Sequence, residues 1–469
     1  MASMGMHGVQ LILTLLLLFV AAFAALAQRL STPYPIVLVV AGLLLGITPG
    51  ISPITLDPQL IYVLVLPPLL YSAAWLTPWR DFSDHMGTLW LLALGLVGLT
   101  IAGVAIASPF AARRLLPAFD WRLCVILGGA AAATDAIAAK SIAKRCGLPK
   151  RMSDLLEGSS LLNDAVGLLV LAFAVTMVVA GKDPTVSFSL LRLLYLAFAG
   201  VASGLILAYI AEWFERRMDD GPVEIAVSIL APYAAFLTAE AMHASGVLAV
   251  LAAGLYLSRK GTQYFSPGVR FQAEAAWNSL TFVLNGLVFV WAGVQLPSVL
   301  AGVSEWSARR LIVYGALFSL FLILLRILWM FPMLHGSHFI RTQVFHRDEE
   351  ERPKGSQVFV AGWSGMRGAI ALAAALSIPR TVADGSPFPH RDLIVFLTFC
   401  AVLVTLVLQG LTLAPLIRIL GLAGTPSATS EDQEARRLLL QTILARMDEA
   451  EAPGRSAGFA DVGDDLAQQ

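Results

Sequence analysis

Glu157-Gly158-Ser159-Ser160-Leu161-Leu162-Asn163-Asp164 runs without a break into Ala165-Val166-Gly167-Leu168-Leu169-Val170-Leu171-Ala172-Phe173. Two carboxylates and three small polar side chains thus open an apolar run, and the run carries Asp164 into hydrocarbon instead of leaving it at the edge. Ionisable groups inside a membrane segment are costly and mark ion or proton pathways. Asp164 is the first candidate for an ion-binding carboxylate.

Charge is scarce throughout. Of 469 residues, 57% are hydrophobic and 14% charged, more apolar surface than a water-facing globule can hide. The fold class that follows is an all-α polytopic membrane protein, since helices satisfy their own backbone groups in lipid. The 32 basic and 32 acidic residues cancel, so no global basic field points to nucleic acid as a partner. Cys124, Cys146 and Cys400 are too far apart for a metal knuckle and read as core residues without a disulfide framework. No nucleophile with its base, soft-metal ligand set or cofactor motif stands out, which argues against an enzyme.

A crossing needs about 20 apolar residues. About thirteen segments meet that description, near 9–27, 35–48, 59–76, 88–107, 121–139, 155–180, 190–212, 223–242, 245–258, 277–297, 309–332, 357–378 and 392–420. The first ends in Gln28-Arg29 with no small-residue cleavage site, so it reads as a retained helix. Arg29, Arg80, the Lys140 to Arg151 cluster, Arg216-Arg217, Arg259-Lys260 and the Arg341 to Lys354 stretch fall on one set of alternate loops. The positive-inside rule makes that set cytoplasmic, with the N-terminus outside and the C-terminus inside, although Arg113-Arg114 and Arg309-Arg310 run against it. Residues 1–420 then form a membrane domain, and 421–469 a partly disordered cytosolic tail with one helical pattern near Glu434 to Glu449.

Two segments carry interruptions. The fifth holds Thr134-Asp135 among alanines, and the twelfth reads Gly362-Trp363-Ser364-Gly365-Met366-Arg367-Gly368-Ala369. With the seventh segment as an axis, each is the fifth of its half, which is the signature of an inverted-repeat secondary transporter. Broken helices at membrane depth are tolerated only around a protein-buried or water-lined cavity. Asp135 and Arg367 are expected to compensate the partial charges of the broken ends.

Together with Leu66-Pro67-Pro68-Leu69-Leu70 in the third segment, Leu161-Leu162-Asn163-Asp164-Ala165 in the sixth and Arg326 in the eleventh, these motifs stand in an order that resembles the monovalent cation/proton antiporters, the family that includes the Na+/H+ exchangers. The resemblance spans about residues 9 to 420. It implies a homodimeric antiporter of the cell membrane with a dimerisation part and a mobile core. Such a protein exchanges Na+, K+ or Li+ for protons by alternating access, in contact with lipid and without a cofactor. It further implies that Asp164 binds the cation or protons, that Asp135 is the acid of the unwound segment, and that Thr134 supplies oxygen ligands. The neutral Asn163 resembles the electroneutral branch.

Helical spacing adds geometry. Glu157, Ser160 and Asp164 fall at i, i+3 and i+7, on one stripe. The Ser160 hydroxyl, the Asp164 carboxylate and the Thr134 carbonyl together are a hard oxygen set for a small monovalent cation. The family often has an acid at the position of Ser159, thought to pair with the arginine matched by Arg326. Without it, Glu157, Glu240 or a water-filled path is left to face Arg326. Ser72 stands where the family often has a carboxylate, and Ala136 replaces the proline usual after Thr-Asp, so unwinding of the fifth helix loses one local cause.

Plainer readings stand beside these. Arg326 and Arg367 serve equally as clamps between helices or as direct participants; Pro67-Pro68 reads as a kink. Glu240 with His243 reads as a satisfied polar pair at a helix end, and His335, His338 and His346 as members of a solvated loop. An organic-anion carrier using Arg326 and Arg367 on a similar scaffold is the rival function, since half-helix N-termini attract anions. A non-transporting membrane sensor is the other.

Overall fold

The structure is a computed structural model and describes residues 18–27, 29, 34–48, 62–84, 86–112, 120–135, 146, 150–181, 186–217, 220–264, 266–343, 354–422 and 437–442. In chain order the helices are α1 (Leu18–Ala27), α2 (Tyr34–Ile47), α3 (Leu66–Leu76), α4 (Trp79–Asp84), α5 (Met86–Ala112), α6 (Trp121–Ala132), α7 (Lys150–Ala180) and α8 (Val186–Glu215). They continue with α9 (Gly221–Ala241), α10 (Gly246–Tyr264), α11 (Pro267–Gly302), α12 (Ala308–Gln343), α13 (Gly355–Trp363), α14 (Ala369–Leu376), α15 (Arg391–Val404) and α16 (Gly410–Ile419). No strand occurs among the described residues. Among the described residues seven helical spans are long and apolar enough to cross a membrane, the last running from Arg391 to Ile419 through α15 and α16, and shorter apolar helices accompany them. Every segment expected from the sequence coincides at least in part with a helix. Residues 1–17, Arg113-Arg114, Ala136, the 140–145 stretch, most of 341–354 and nearly all of the tail lie outside the described residues.

Two packed bodies emerge. In one, α10 packs against α3, α8 and α9, and α11, with α2 lying along it, joins α3 and α9 while also packing against α14 and α15. In the other, α5, α6 and α7 pack together, and α12 joins α5, α13 and α15. Lipid tails are as apolar as leucine, so close approach rather than hydrophobic expulsion holds such helices together. The α2–α11 contact is of that kind: a Cβ on Gly42 would lie 2.1 Å from the Val290 carbonyl oxygen, and one on Gly293 2.2 Å from that of Val39. In the second body, Gly129 and Gly167 make the equivalent contact between α6 and α7. The side chains left outside are large and apolar, as on α8, where Phe198, Ile206 and Tyr209 are exposed.

The twelfth segment is broken as expected, and in the fifth the helix stops in mid-segment at Ala132, with residues 136–145 outside the described residues. Helix α6 ends at Ala132, Ala133 is extended (φ −61°, ψ 131°), and Ser364–Gly368 separate α13 from α14. The break in α6 forms without a proline. Its freed groups are satisfied from other elements: the Asp135 amide donates to the Met366 carbonyl over 2.7 Å, so the two interruptions cross and bond to each other. A π-helical turn, Thr405–Gln409, links α15 to α16 beside this crossing.

Three local readings are refined. Pro67 and Pro68 stand in the first turn of α3, where a missing N–H costs nothing, directly after helical residues 62–64 and a turn at Val65, so the expected kink falls at that turn within the Tyr62–Leu76 segment. The short break between the eighth and ninth segments is real: Met242–Ser245 separate α9 from α10, with His243 at a left-handed φ of 52°. His335 is not in a loop, because α12 continues to Gln343 and the ring Nδ1 lies 2.8 Å from the Phe331 carbonyl oxygen. The side chains of His338 and His346 lie outside the described residues.

Candidate cation and proton site

Asp164 sits midway along α7, buried at 3% exposure, beside the broken end of α6. Its Oδ1 accepts the main-chain N–H of Thr134 over 2.8 Å, replacing the carbonyl which that amide lost when the helix unwound. The Ser160 hydroxyl, one turn earlier, donates to the Thr134 carbonyl and accepts from the Thr134 hydroxyl over 3.1 Å. Asn163 Nδ2 reaches the same hydroxyl at 3.5 Å, while its Oδ1 is buried without a hydrogen-bond partner. Thr134, Ser160, Asn163 and Asp164 thus form one connected polar group.

Asp135 and Glu157 line the same cavity as Thr134, Ser160 and Asp164, of about 490 Å³. Asp135 packs against Gly368, which caps the N-terminus of α14: a Cβ there would lie 2.6 Å from the Asp135 carboxylate oxygen. An acid at a helix N-terminus meets the positive end of its dipole, as expected of Asp135. The far wall belongs to the other body, through Tyr34 of α2, Ser72 of α3 and Asn278, Thr281 and Asn285 of α11. Sequence reasoning passed over these three α11 residues, although polar side chains at i, i+3 and i+7 in an apolar segment were a readable signal.

The arginines stand apart from this cavity. The Arg367 Nε donates to the Ala131 carbonyl over 2.7 Å, and its amide donates to the Thr405 hydroxyl over 3.1 Å. The guanidinium therefore caps the negative end of α6, as a clamp between the two broken segments. Arg326 is buried, and a Cβ on Gly365 would lie 2.2 Å from its Nε, so only glycine lets the side chain pass. Its Nε and Nη1 have no hydrogen-bond partner, and no ion pair joins it to Glu157, Glu240 or another carboxylate among the described residues. Glu240 instead lines a second cavity of about 770 Å³ with Arg192 and His243. There Arg192 Nη2 donates to the His243 carbonyl over 3.2 Å, and His243 N–H to the Glu240 carbonyl over 2.9 Å.

Helix α7 borders both cavities. Its residues from Glu157 to Asp164 face the first, and those from Leu169 to Ala180 the second. Between them Ala165, Val166 and Leu168 are buried. At 1.5 Å per residue the septum is roughly 7 Å long. No group of three or more potential metal ligands occurs among the described residues.

Known proteins resemble this chain in sequence and in fold. The chain is 32% identical over 427 residues to the sodium, potassium, lithium and rubidium/H+ antiporter of Bacillus pumilus, covering 89% of this chain but 62% of that relative's length. It is 29% identical over 418 residues to the Na+/H+ antiporter ApNhaP of Aphanothece halophytica, covering 88% of this chain and 75% of that one. The fold matches the sodium proton antiporter MjNhaP1 of Methanocaldococcus jannaschii with a TM-score of 0.67 at 19% identity, over 87% of this chain and 98% of that one. The family described as "Sodium/hydrogen exchanger, transmembrane" matches residues 15–419. With its crossed broken helices and buried polar group, the chain belongs to the sodium/hydrogen exchanger family.

Proposed function

We propose that this chain is a secondary active antiporter that exchanges a monovalent cation for protons, electroneutrally, with the two competing for Asp164. The observation that carries the reading is a buried carboxylate bordering one cavity and separated from a second by only a few residues of a single helix. Such a site can be offered to either side by moving one packed body against the other, without opening a continuous pore. By the loop charges the Asp164 cavity faces the cytoplasm, which makes this the inward-facing arrangement with the C-terminal tail inside.

The chemistry follows from the carboxylate. Empty and ionised, Asp164 accepts from a neutral main-chain donor and feels the buried Arg326 charge only at a distance, without an ion pair, and so incompletely compensated a buried charge resists passage through a dry barrier. A bound proton or a bound cation each cancels it. Movement is thus coupled to occupancy of Asp164, and the neutral Asn163 beside it, which resembles the electroneutral branch of the family, supports exchange of one cation for one proton. Thr134 and Ser160 supply oxygens to the cation, Asp135 and Glu157 draw it into the cavity, and Arg326 and Arg367 hold the broken helices. The names of the relatives support Na+, K+ and Li+ as candidate cations. A homodimer in a lipid bilayer, with residues 1–420 transporting and 421–469 as a tail, completes the reading.

The placing of Arg367 on the Ala131 carbonyl, away from the cavity, disfavours an organic-anion carrier. Proteoliposomes with an acid interior and a trapped pH dye test the reading on addition of Na+, K+ or Li+. Alkalinisation by at least one cation, lost in Asp164→Asn, is expected. Parental exchange in a correctly inserted Asp164→Asn protein would overturn the assignment.

A further inference from the structure

Asn278, Thr281 and Asn285 lie at i, i+3 and i+7 on α11, within one narrow arc, and all three line the cavity that contains Asp135 and Asp164. They span roughly 10 Å along the helix axis. The Thr281 side chain is over nine-tenths buried, yet its hydroxyl has no hydrogen-bond partner. An unpartnered buried hydroxyl costs stability unless something bonds to it at some stage of the protein's work. Nearby Ser72 does not serve it, since the Ser72 hydroxyl donates to its own helix at the Leu69 carbonyl over 2.9 Å. The neighbours on α11 turn elsewhere: Trp277 packs against Tyr71 with the rings tilted and donates to Ser228, and Ser279 is exposed, donating to the Ala275 carbonyl.

We propose that this stripe is the cation-discriminating wall of the site: its amide and hydroxyl oxygens take over hydration-shell positions on the side of the cation away from Asp164. The inference rests on the antiport reading and names what selects its substrate. The acids face the cation from the second body, and the wall opposite is neutral. Neutral oxygens exert a weaker field than carboxylates, so they repay the dehydration of K+ more fully than the costlier dehydration of Na+ or Li+. A neutral wall therefore admits K+ alongside Na+, and a carboxylate placed on it favours the smaller ions.

The test uses the full chain in two readouts: exchange in proteoliposomes, and thermal stabilisation of the purified protein by Na+, K+ or Li+, which requires binding but no transport. Asn278→Asp is expected to raise the preference for Na+ over K+ by about three- to tenfold in both readouts, and Thr281→Val to weaken every cation by a similar factor. Ser279→Ala, outside the stripe, is expected to match the parent. If Thr281→Val destabilises the fold, Thr281→Ser, which keeps the hydroxyl, restores cation half-saturation when the wall reading is right. Unchanged cation ratios and half-saturations in Asn278→Asp and Thr281→Val overturn the wall. A parent stabilised by cations but incapable of exchange overturns antiport, while the stabilisation ratios still decide the wall.

Discussion

The main-chain amide of Thr134 donates to Asp164 Oδ1 over 2.8 Å, so the carboxylate of an intact helix closes the backbone of a broken one. Occupancy of Asp164 and the geometry of the α6 break are therefore coupled.

That coupling separates two substitutions. Asp164→Asn keeps an oxygen that can accept from Thr134 and removes the charge, so exchange is expected to vanish while thermal stability is retained or raised. Asp164→Leu also removes the acceptor and leaves a buried amide unsatisfied, at a cost of about 1–3 kcal/mol. Dye dequenching and thermal unfolding of the two proteins in parallel check the split.

Proton and cation competition fixes a direction for pH. Acidification on the cation side is expected to raise the half-saturating cation concentration, by up to about tenfold per pH unit for a single competing proton, and to leave the maximal rate at saturating cation unchanged. Initial rates across a pH series with Na+ and K+ measure it. A half-saturation independent of pH would mean separate sites.

Gly365→Ala is expected to lose about 1–3 kcal/mol of stability, because the new methyl would lie 2.2 Å from the buried Arg326 side chain. Gly87→Ala meets open space on α5 and serves as the control, neutral or stabilising by up to about 1 kcal/mol. Thermal unfolding midpoints compare them.

Arg367→Gln removes the charged donor from the Ala131 carbonyl. The expected loss is about 1.5–3 kcal/mol, with a fall in maximal exchange rate and little change in cation half-saturation. A direct role in binding would instead raise the half-saturation.

Tyr256→Phe tests the packing of the other body. The Tyr256 hydroxyl donates to Glu212 over 2.6 Å, and Arg216 holds the other oxygen of that buried carboxylate. Loss of this α8–α10 tie is expected to cost about 1.5–3 kcal/mol, with cation preference unchanged.

Much of this was readable in the residues. The apolar segments, both interruptions and the stripe of Glu157, Ser160 and Asp164 followed from hydropathy and helical spacing, because each is a local property of the chain, whereas Thr134 and Asn163 entered through the family resemblance. What the chain order hid was pairing across it. The Asp135 amide meets Met366, Arg367 reaches Ala131, and Thr405 receives the Arg367 amide, contacts between segments more than 30 residues apart. Ala136, where the family's usual proline is missing, lies outside the described residues, and the end of α6 just before it is held by partners elsewhere in the chain. Arg326, for which Glu157, Glu240 or a water-filled path stood open, lies against Gly365 with two donors unmatched.

The backbone contact of α2 with α11 at Gly42 and Gly293 leaves no side-chain cushion between the two helices. Side chains absorb strain by changing rotamer; touching backbones cannot, so the pair behaves as one stiff beam bearing one wall of the cavity. Calibration of that wall is therefore set far from any ligand: a single methyl at Gly293, wedging the beam apart, would detune the spacing at Asn285 two turns away.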